Sequence, residues 1–593
     1  MNHPRRLYDC LSPLIASAPD NPLLAAKENG SWRTWSVREV AAKVDQLASG
    51  LLAAGIGPND YSIEGRDKIA ILAKNRPEWV IVDLAVQKAG AVLVPVYPTV
   101  HVNDLAFVLN DAQVKMVIVN DADLLQKVES VREQCPSLQY IYSFDRIAGT
   151  PHWTELLDGG SQAHNQQLAA IDERIGTDDL FTIIYTSGTT GVPKGVMLSH
   201  QNVLSNVLAT QDLLPVSRGS KVLSFLPLNH IFERTVTFIY LFAGVTIYYA
   251  ESLDTLGDNL KEVKPEMFTT VPRLLEKVYE KIMAKASELT GVKKKLFFWA
   301  LRLGEQFDVA KPGSAWYRFQ LKLANRIIFS KWREGLGNNI RGIVTGAAAC
   351  PERLIRVFTA GNIPIMEGYG QTESSPVISV NHIEPENRRF GTVGPAIDGV
   401  EVKIAEDGEV LCKGPNVMMG YYKRPDLTED VIKDGWLYTG DIGTIQEGKF
   451  LKITDRKKEI FKTSGGKFVA PLPIETRMVE SPFIEQIMVV GDGQKFAGAF
   501  VVPNFARLQQ WCGTQGIDAN DREALCKDER VQAFLQQQVD TYNVFFNKVE
   551  QIKKIALLPR EWSVDGGELT PKLSLKRKAI LDKYRDAFRS IYD

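Results

Sequence analysis

The run Phe181-Thr-Ile-Ile-Tyr-Thr-Ser-Gly-Thr-Thr-Gly-Val-Pro-Lys-Gly-Val196 joins two unlike textures. Its first half is apolar and β-branched, the composition of a buried strand. Its second half sets hydroxyls among three glycines and carries Lys194. Backbone N–H groups in such a segment can approach an anion closely, the hydroxyls add donors or a metal contact, and the lysine adds a point charge. This is a phosphate-holding pattern. It is not a Walker A loop, since no Gly-Lys-Ser/Thr ending follows at the required spacing, and it is not G-x-G-x-x-G.

The strand has many companions. Lys68–Leu72, Val92–Val96, Met116–Val119, Thr182–Tyr185, Val222–Phe225, Val245–Tyr249 and Ile340–Thr345 read as buried strands. Ser36–Ala54, Pro77–Ala89 and Val102–Asn110 read as helices between them. Such alternation predicts an α/β fold with mostly parallel sheets, which bind ligands at the carboxyl ends of their strands. Near residue 395 the texture turns to short strands punctuated by Asp407-Gly408 and Asp434-Gly435, so a small β-barrel-like part is expected there. A domain boundary is placed near Asp455–Lys458. It gives a large N-terminal domain, 1–455, joined by a hinge to a smaller α+β C-terminal domain, 456–593.

Composition narrows the function. The chain has 593 residues, too many for one typical domain, with 45% hydrophobic and 24% charged residues, the balance of a globular protein. Net charge is -1, which gives no global field for nucleic acid, and none is expected as a partner. Cys10, Cys135, Cys350, Cys412, Cys512 and Cys526 lack CxxC spacing, and the seven histidines form no HExxH. Neither a disulfide framework nor a zinc site is expected. The first twenty residues lack the apolar core of a secretory signal, and Thr235–Ala250 is shorter than the roughly 20 residues that span a bilayer. A cytoplasmic location is expected.

Four motifs occur in order: Tyr185–Val196, Gly368-Tyr-Gly-Gln-Thr-Glu373, Tyr438-Thr-Gly-Asp441 and Asp455-Arg-Lys-Lys-Glu-Ile-Phe-Lys-Thr-Ser-Gly-Gly-Lys467. Together they resemble the adenylate-forming superfamily of acyl-CoA synthetases, luciferases and peptide-synthetase adenylation domains, from about Ser31 to Ile580. The resemblance implies ATP, Mg²⁺ and coenzyme A as ligands. It assigns Thr186, Ser187, Gly188, Thr189, Thr190, Gly191 and Lys194 to the phosphates, with Thr186 and Glu373 also on the metal. Tyr369 would stack on adenine, Gly370 would lie beside it, and Thr372 would contact the α-phosphate. Asp441 would accept the ribose hydroxyls and Arg456 would contact ribose or phosphate. Gly346 and Ala347, in Thr345–Ala349, would wall the adenine and acyl site, with Gly368 next to the acyl group. Lys458 falls at the family's hinge, and Gly465 and Gly466 would enter the site when the thiol attacks.

Leu226-Pro-Leu-Asn-His-Ile-Phe-Glu-Arg234 resembles the segment before the acyl tunnel of fatty acyl-CoA synthetases, which makes His230 an acyl-site wall and gate candidate. A structural histidine is the competing reading. Thr235–Ala250 reads as a helix then a strand that either packs the core or lines the tunnel. The block Val292–Arg333 resembles the helical insertion of long-chain members. Ten basic residues against Glu305 and Asp308 give it a net charge of +8, with Phe297, Phe298, Trp299, Trp316, Tyr317 and Phe319 interleaved. It reads either as a peripheral membrane contact or as a solvated helix face with core aromatics.

At the C-terminus the chain departs from the family. Leu569-Thr-Pro-Lys-Leu-Ser-Leu-Lys-Arg577 places Ser574 where long-chain members carry their adenylation lysine. On an extended segment Lys572 shares the face of Ser574 and takes the role; Lys576 is the other same-face residue, better read as starting the last helix. The expected reaction is fatty acid plus ATP to acyl-AMP, then a thioester with coenzyme A. The alternatives are a fatty acyl-AMP ligase serving a carrier protein and a weakly catalytic lipid- or nucleotide-binding relative. Oligomeric state has no signature in the sequence.

Overall fold

The computed structural model describes residues 4–311, 313–564, 566–570 and 574–593, except 188–191. Two large sheets form the first part. Strands β1 (Pro22–Glu28) and β2 (Ser31–Ser36) edge one of them; β3 (Lys68–Leu72), β4 (Val92–Val96), β5 (Val114–Val119) and β6 (Tyr140–Ser143) build the other. Within this second group every pairing is parallel. β3 and β4 are buried at every residue, which is why, after Lys68, both read as apolar runs rather than alternating ones. Helix α1 (Val37–Ala53) starts on a reciprocal cap between Ser36 and Glu39, and α2 (Pro77–Lys88) starts on Pro77.

The sheet continues through β7 (Leu180–Ser187), parallel to β4, and β8 (Pro193–Ser199), antiparallel to β7. The other sheet takes β9 (Lys221–Ser224), β10 (Thr246–Tyr249), β11 (Met267–Thr270), β12 (Gly342–Thr345), β13 (Ile365–Gly370) and β14 (Val377–Val380). All of these run parallel except the β13–β14 pair. Helix α3 (Ile231–Ala243) and β10 supply Phe238, Ile239, Tyr240, Leu241, Ile247 and Tyr249 to the largest apolar core. The Thr235–Ala250 stretch is therefore core. No helix among the described residues is long and apolar enough to cross a membrane. All six cysteines are free and buried.

A five-stranded antiparallel sheet follows: β15 (Glu401–Ile404), β16 (Glu409–Lys413), β18 (Ile432–Lys433), β19 (Trp436–Gln446) and β20 (Phe450–Arg456). Bulges in β16 and β19 curl it into the barrel-like part expected from the sequence. Asp434 and Gly435 both have positive φ, and they form the two-residue turn between β18 and β19. The short β17 (Gly420–Tyr421) instead leaves this sheet and pairs with β8.

Beyond β20 lie the hairpin β21 (Phe461–Lys462) and β22 (Phe468–Val469) and the sheet of β23 (Ile484–Val490), β24 (Gly498–Pro503) and β25 (Lys554–Leu557). Helices cover that sheet around two cores of their own. Buried Asp455 links the two parts, accepting from the Leu472 N–H at 3.3 Å and the Arg456 N–H at 2.6 Å. Arg273, on α4 (Pro272–Ser287), pairs with Glu485 of β23 across the same junction.

Candidate active site

Three strand ends converge. β7 ends at Thr186 and Ser187, β12 runs into Gly346 and Ala347, and β13 ends at Gly368–Gly370. Thr186 and Lys194 are directly opposite in the β7–β8 register. β7 and β8 thus form an antiparallel pair, and the element that follows β7 is a strand, not a helix. Gly188, Thr189, Thr190, Gly191 and the Ser187 side chain lie outside the described residues.

Around Thr186 and Lys194 gather groups from distant parts of the chain. Glu373, in the turn Thr372–Ser374, accepts from the Tyr421 hydroxyl at 2.9 Å. The Lys194 ammonium lies over the Tyr421 ring, 5.1 Å from its centre. β17 carries Tyr421 here because it pairs with β8, the strand that bears Lys194. Burial lowers the Lys194 pKa, the nearby Lys458 lowers it further, and Glu373 acts in the opposite sense. Lys458 thus sits within electrostatic reach of Lys194. Thr372 is buried.

The second cluster centres on Asp441, which is buried. Its Oδ2 accepts from the Tyr369 hydroxyl and the Gln371 amide, both at 2.7 Å. Its Oδ1 faces Arg456 Nε at 3.3 Å, the residue opposite it in the β19–β20 register. Burial raises the Asp441 pKa, and Arg456, Tyr369 and Gln371 counter that rise. The carboxylate is thus held from both oxygens, Oδ2 by two donors and Oδ1 by Arg456. The Tyr369 ring is oriented by its own hydroxyl.

Gly346 lies beside both Gly368 and Phe232: a Cβ on it would stand 3.5 Å from the Gly368 carbonyl and 3.6 Å from the Phe232 ring. Ala347 has φ +68°, a left-handed conformation that costs a side-chain-bearing residue about 1–2 kcal/mol. Gly370 has a structural duty, since a Cβ there would stand 1.7 Å from the Pro376 carbonyl oxygen. His230 caps α3: its Nδ1 accepts from the Phe232 N–H at 3.0 Å.

Gly465 and Gly466 sit in the turn between β21 and β22, where, among the described residues, Cβ atoms would meet only Thr463 and Lys462 within 4 Å; in this arrangement they stand apart from the strand ends. The flanks of the C-terminal lysine segment bridge antiparallel, Leu569 to Leu575, and the Thr570 N–H donates to the Ser574 carbonyl at 2.9 Å. Lys572 itself lies outside the described residues. Lys576 immediately precedes the helix Arg577–Lys583, as expected.

Tyr421 and Gln371 were not foreseen. Gln371 stands inside a motif already singled out, so its position was the signal; Tyr421 reaches Glu373 only through a strand pairing that no local pattern announces.

The profile of the AMP-binding enzyme family matches residues 15–422, and that of the AMP-binding enzyme C-terminal domain matches 458–593. The chain belongs to the AMP-binding enzyme family. Among relatives of this family member, the long-chain-fatty-acid–CoA ligase FadD15 of Mycobacterium tuberculosis is 31% identical, over 97% of this chain and 95% of that one. Long-chain-fatty-acid–CoA ligase 5 of Rattus norvegicus is 32% identical, over 99% and 89%. The fold matches the anthranilate CoA ligase AuaEII in complex with anthranoyl-AMP at a TM-score of 0.72 and 16% identity, over 98% of both chains. A fatty acyl CoA synthetase of Mycobacterium tuberculosis matches at 0.63 and 21%, again over 98% of both.

Proposed function

We propose that this AMP-binding enzyme is an ATP-dependent long-chain fatty acid–CoA ligase. The observation that carries the reading is the meeting, at one set of strand ends, of Glu373 and Lys194 with the Asp441–Tyr369–Arg456 cluster. One cluster suits a polyphosphate and the other a nucleoside. Full-length likeness to ligases named for long-chain fatty acids supports the acyl substrate.

In this reading Asp441 and Arg456 hold the ribose, Tyr369 and the Gly346–Ala347 wall hold adenine, and Lys194 and the 186–191 segment hold the phosphates. Thr372 meets the α-phosphate, and Gly368 faces the acyl group. Magnesium bound to polyphosphate takes few protein oxygens and keeps water. Glu373 with the Thr186 hydroxyl is such a set, and no cluster of three or more His, Cys, Asp or Glu suited to a protein-caged ion occurs among the described residues. When bound, the ion would supply charge neutralisation. The fatty carboxylate attacks the α-phosphorus and pyrophosphate leaves; positive groups aimed at the growing charge, Lys572 among them, lower the barrier. The small domain, 456–593, then turns about Lys458 to bring Gly465 and Gly466 beside the thiol. Coenzyme A sulfur attacks the acyl carbon and AMP leaves. We place this chemistry in the cytoplasm, with peripheral contact to lipid surfaces, where its substrate partitions.

The test is a series of carboxylates from acetate to oleate, scoring pyrophosphate and AMP with and without coenzyme A. Thioester formation with long chains is expected; pyrophosphate release from none of them refutes the reading. Lys572→Ala is expected to abolish ATP–pyrophosphate exchange while retaining thioester formation from preformed acyl-AMP, and unimpaired exchange moves the role elsewhere.

A further inference from the structure

The basic block folds into α5 (Gly291–Glu305) and α6 (Ala315–Ala324), and α6 runs on through one π-helical turn, Asn325–Phe329, into Ser330–Gly335. Its aromatics divide. Phe297 is buried, Phe298, Trp299 and Tyr317 are half-buried, and Tyr317 donates to the Leu303 carbonyl at 2.8 Å. Trp316 and Phe319 face outward, 67% and 58% exposed, with rings stacked at 5.6 Å. Leu323 and Ile327, 42% and 43% exposed, extend them at helical spacing. Four large apolar residues thus make one stripe on the outer face of a helix whose opposite face already packs on the protein.

Arg318, Lys322 and Arg326, all exposed and four residues apart, form a row along one side of the stripe. On α5, exposed Lys294, Lys295 and Arg302 line a cleft of about 610 Å³ together with Phe298 and Trp299. Trp299 Nε1 donates to Gln320 Oε1 at 3.2 Å and ties this cleft to α6. Arg333, by contrast, is spent on the Asn325 and Gly361 carbonyls, and Lys331 pairs with Glu334.

We propose that the outer face of α6, with the basic cleft of α5, is the surface by which this protein docks on anionic lipid bilayers. The proposal deepens the lipid contact inferred above. Charge selects the occupant: in a chain of net charge -1 this face gathers cations around an apolar stripe, the pattern of an interfacial helix. A second copy of the same face would bring like charges together.

The test uses the whole protein and sedimentation with vesicles of phosphatidylcholine alone or mixed equally with phosphatidylglycerol. Binding is expected only to the mixed vesicles and is expected to weaken as salt rises. Phe319→Ser with Leu323→Ser should weaken it by about tenfold or more. Replacing Arg318, Lys322 and Arg326 by Gln should cost about fivefold for each cation. On unaltered protein, amide exchange over 315–327 should slow with mixed vesicles. No binding even at low salt, or binding and exchange indifferent to these changes, overturns the proposal. So does a dimer in solution that the apolar substitutions dissolve. Pyrophosphate release in vesicle-free solution should survive every substitution, which separates a failure of docking from a failure of the ligase reading.

Discussion

Glu233 holds a fully buried carboxyl on α3, with the Ser224 hydroxyl donating to it at 2.6 Å and Thr269 donating from β11. Burial pushes its pKa up to about 7, although both hydroxyls favour the charged form. A folded-state pKa above the unfolded one means the native state holds its proton longer. The stabilising contribution is complete below the ordinary glutamate value and is lost as pH rises through about 7. The loss is about 3 kcal/mol. Urea midpoints are therefore expected to fall from pH 4.5 to 7 more steeply in the wild type than in Glu233→Gln. Parallel curves would contradict it. At this scale the sequence singled out Tyr369, Glu373, Asp441 and Arg456, and the fold gives each of them a polar side-chain partner. It was silent on Tyr421, whose hydroxyl reaches Glu373 across two sheets.

Among elements, β13 and β14 show how a motif glycine can serve the fold first. At Gly370 a methyl group would penetrate the Pro376 carbonyl, and backbone on both sides leaves no room to relax. Gly370→Ala is expected to cost on the order of 3 kcal/mol or more. Comparing its urea midpoint with that of Gly465→Ala, which meets open space, checks this; equal midpoints would refute the steric account. The buried strands β3 and β4 were legible to the residue, because strands covered on both faces are apolar throughout. The division of aromatics on α5 and α6 was not, because helical spacing gives a face without saying which neighbour covers it.

In the whole molecule the two parts meet through charge. Arg273 binds Glu276 at 3.0 Å on its own helix and Glu485 on the small sheet, and Asn504 donates to Glu485 at 2.9 Å. Gly465 and Gly466 stand apart from the strand ends, and the reading proposed above brings them to the thiol by another arrangement of the small part. Arg273→Glu is expected to shift the ratio of the two half-reaction rates by about threefold to tenfold, and adding Glu485→Arg to restore it. Single-turnover rates for each step measure this, and equal ratios in all three proteins would remove the pair from domain positioning.

The facing of Thr186 and Lys194 across β7 and β8 has a consequence for how this protein can change over evolutionary time. Both legs of that pair are locked into a sheet, so a slip of one residue between the two strands would turn one leg over and part the lysine from the face of the threonine. Exchange of residue type along either strand leaves that meeting intact, and the pairing itself behaves as an inherited ruler.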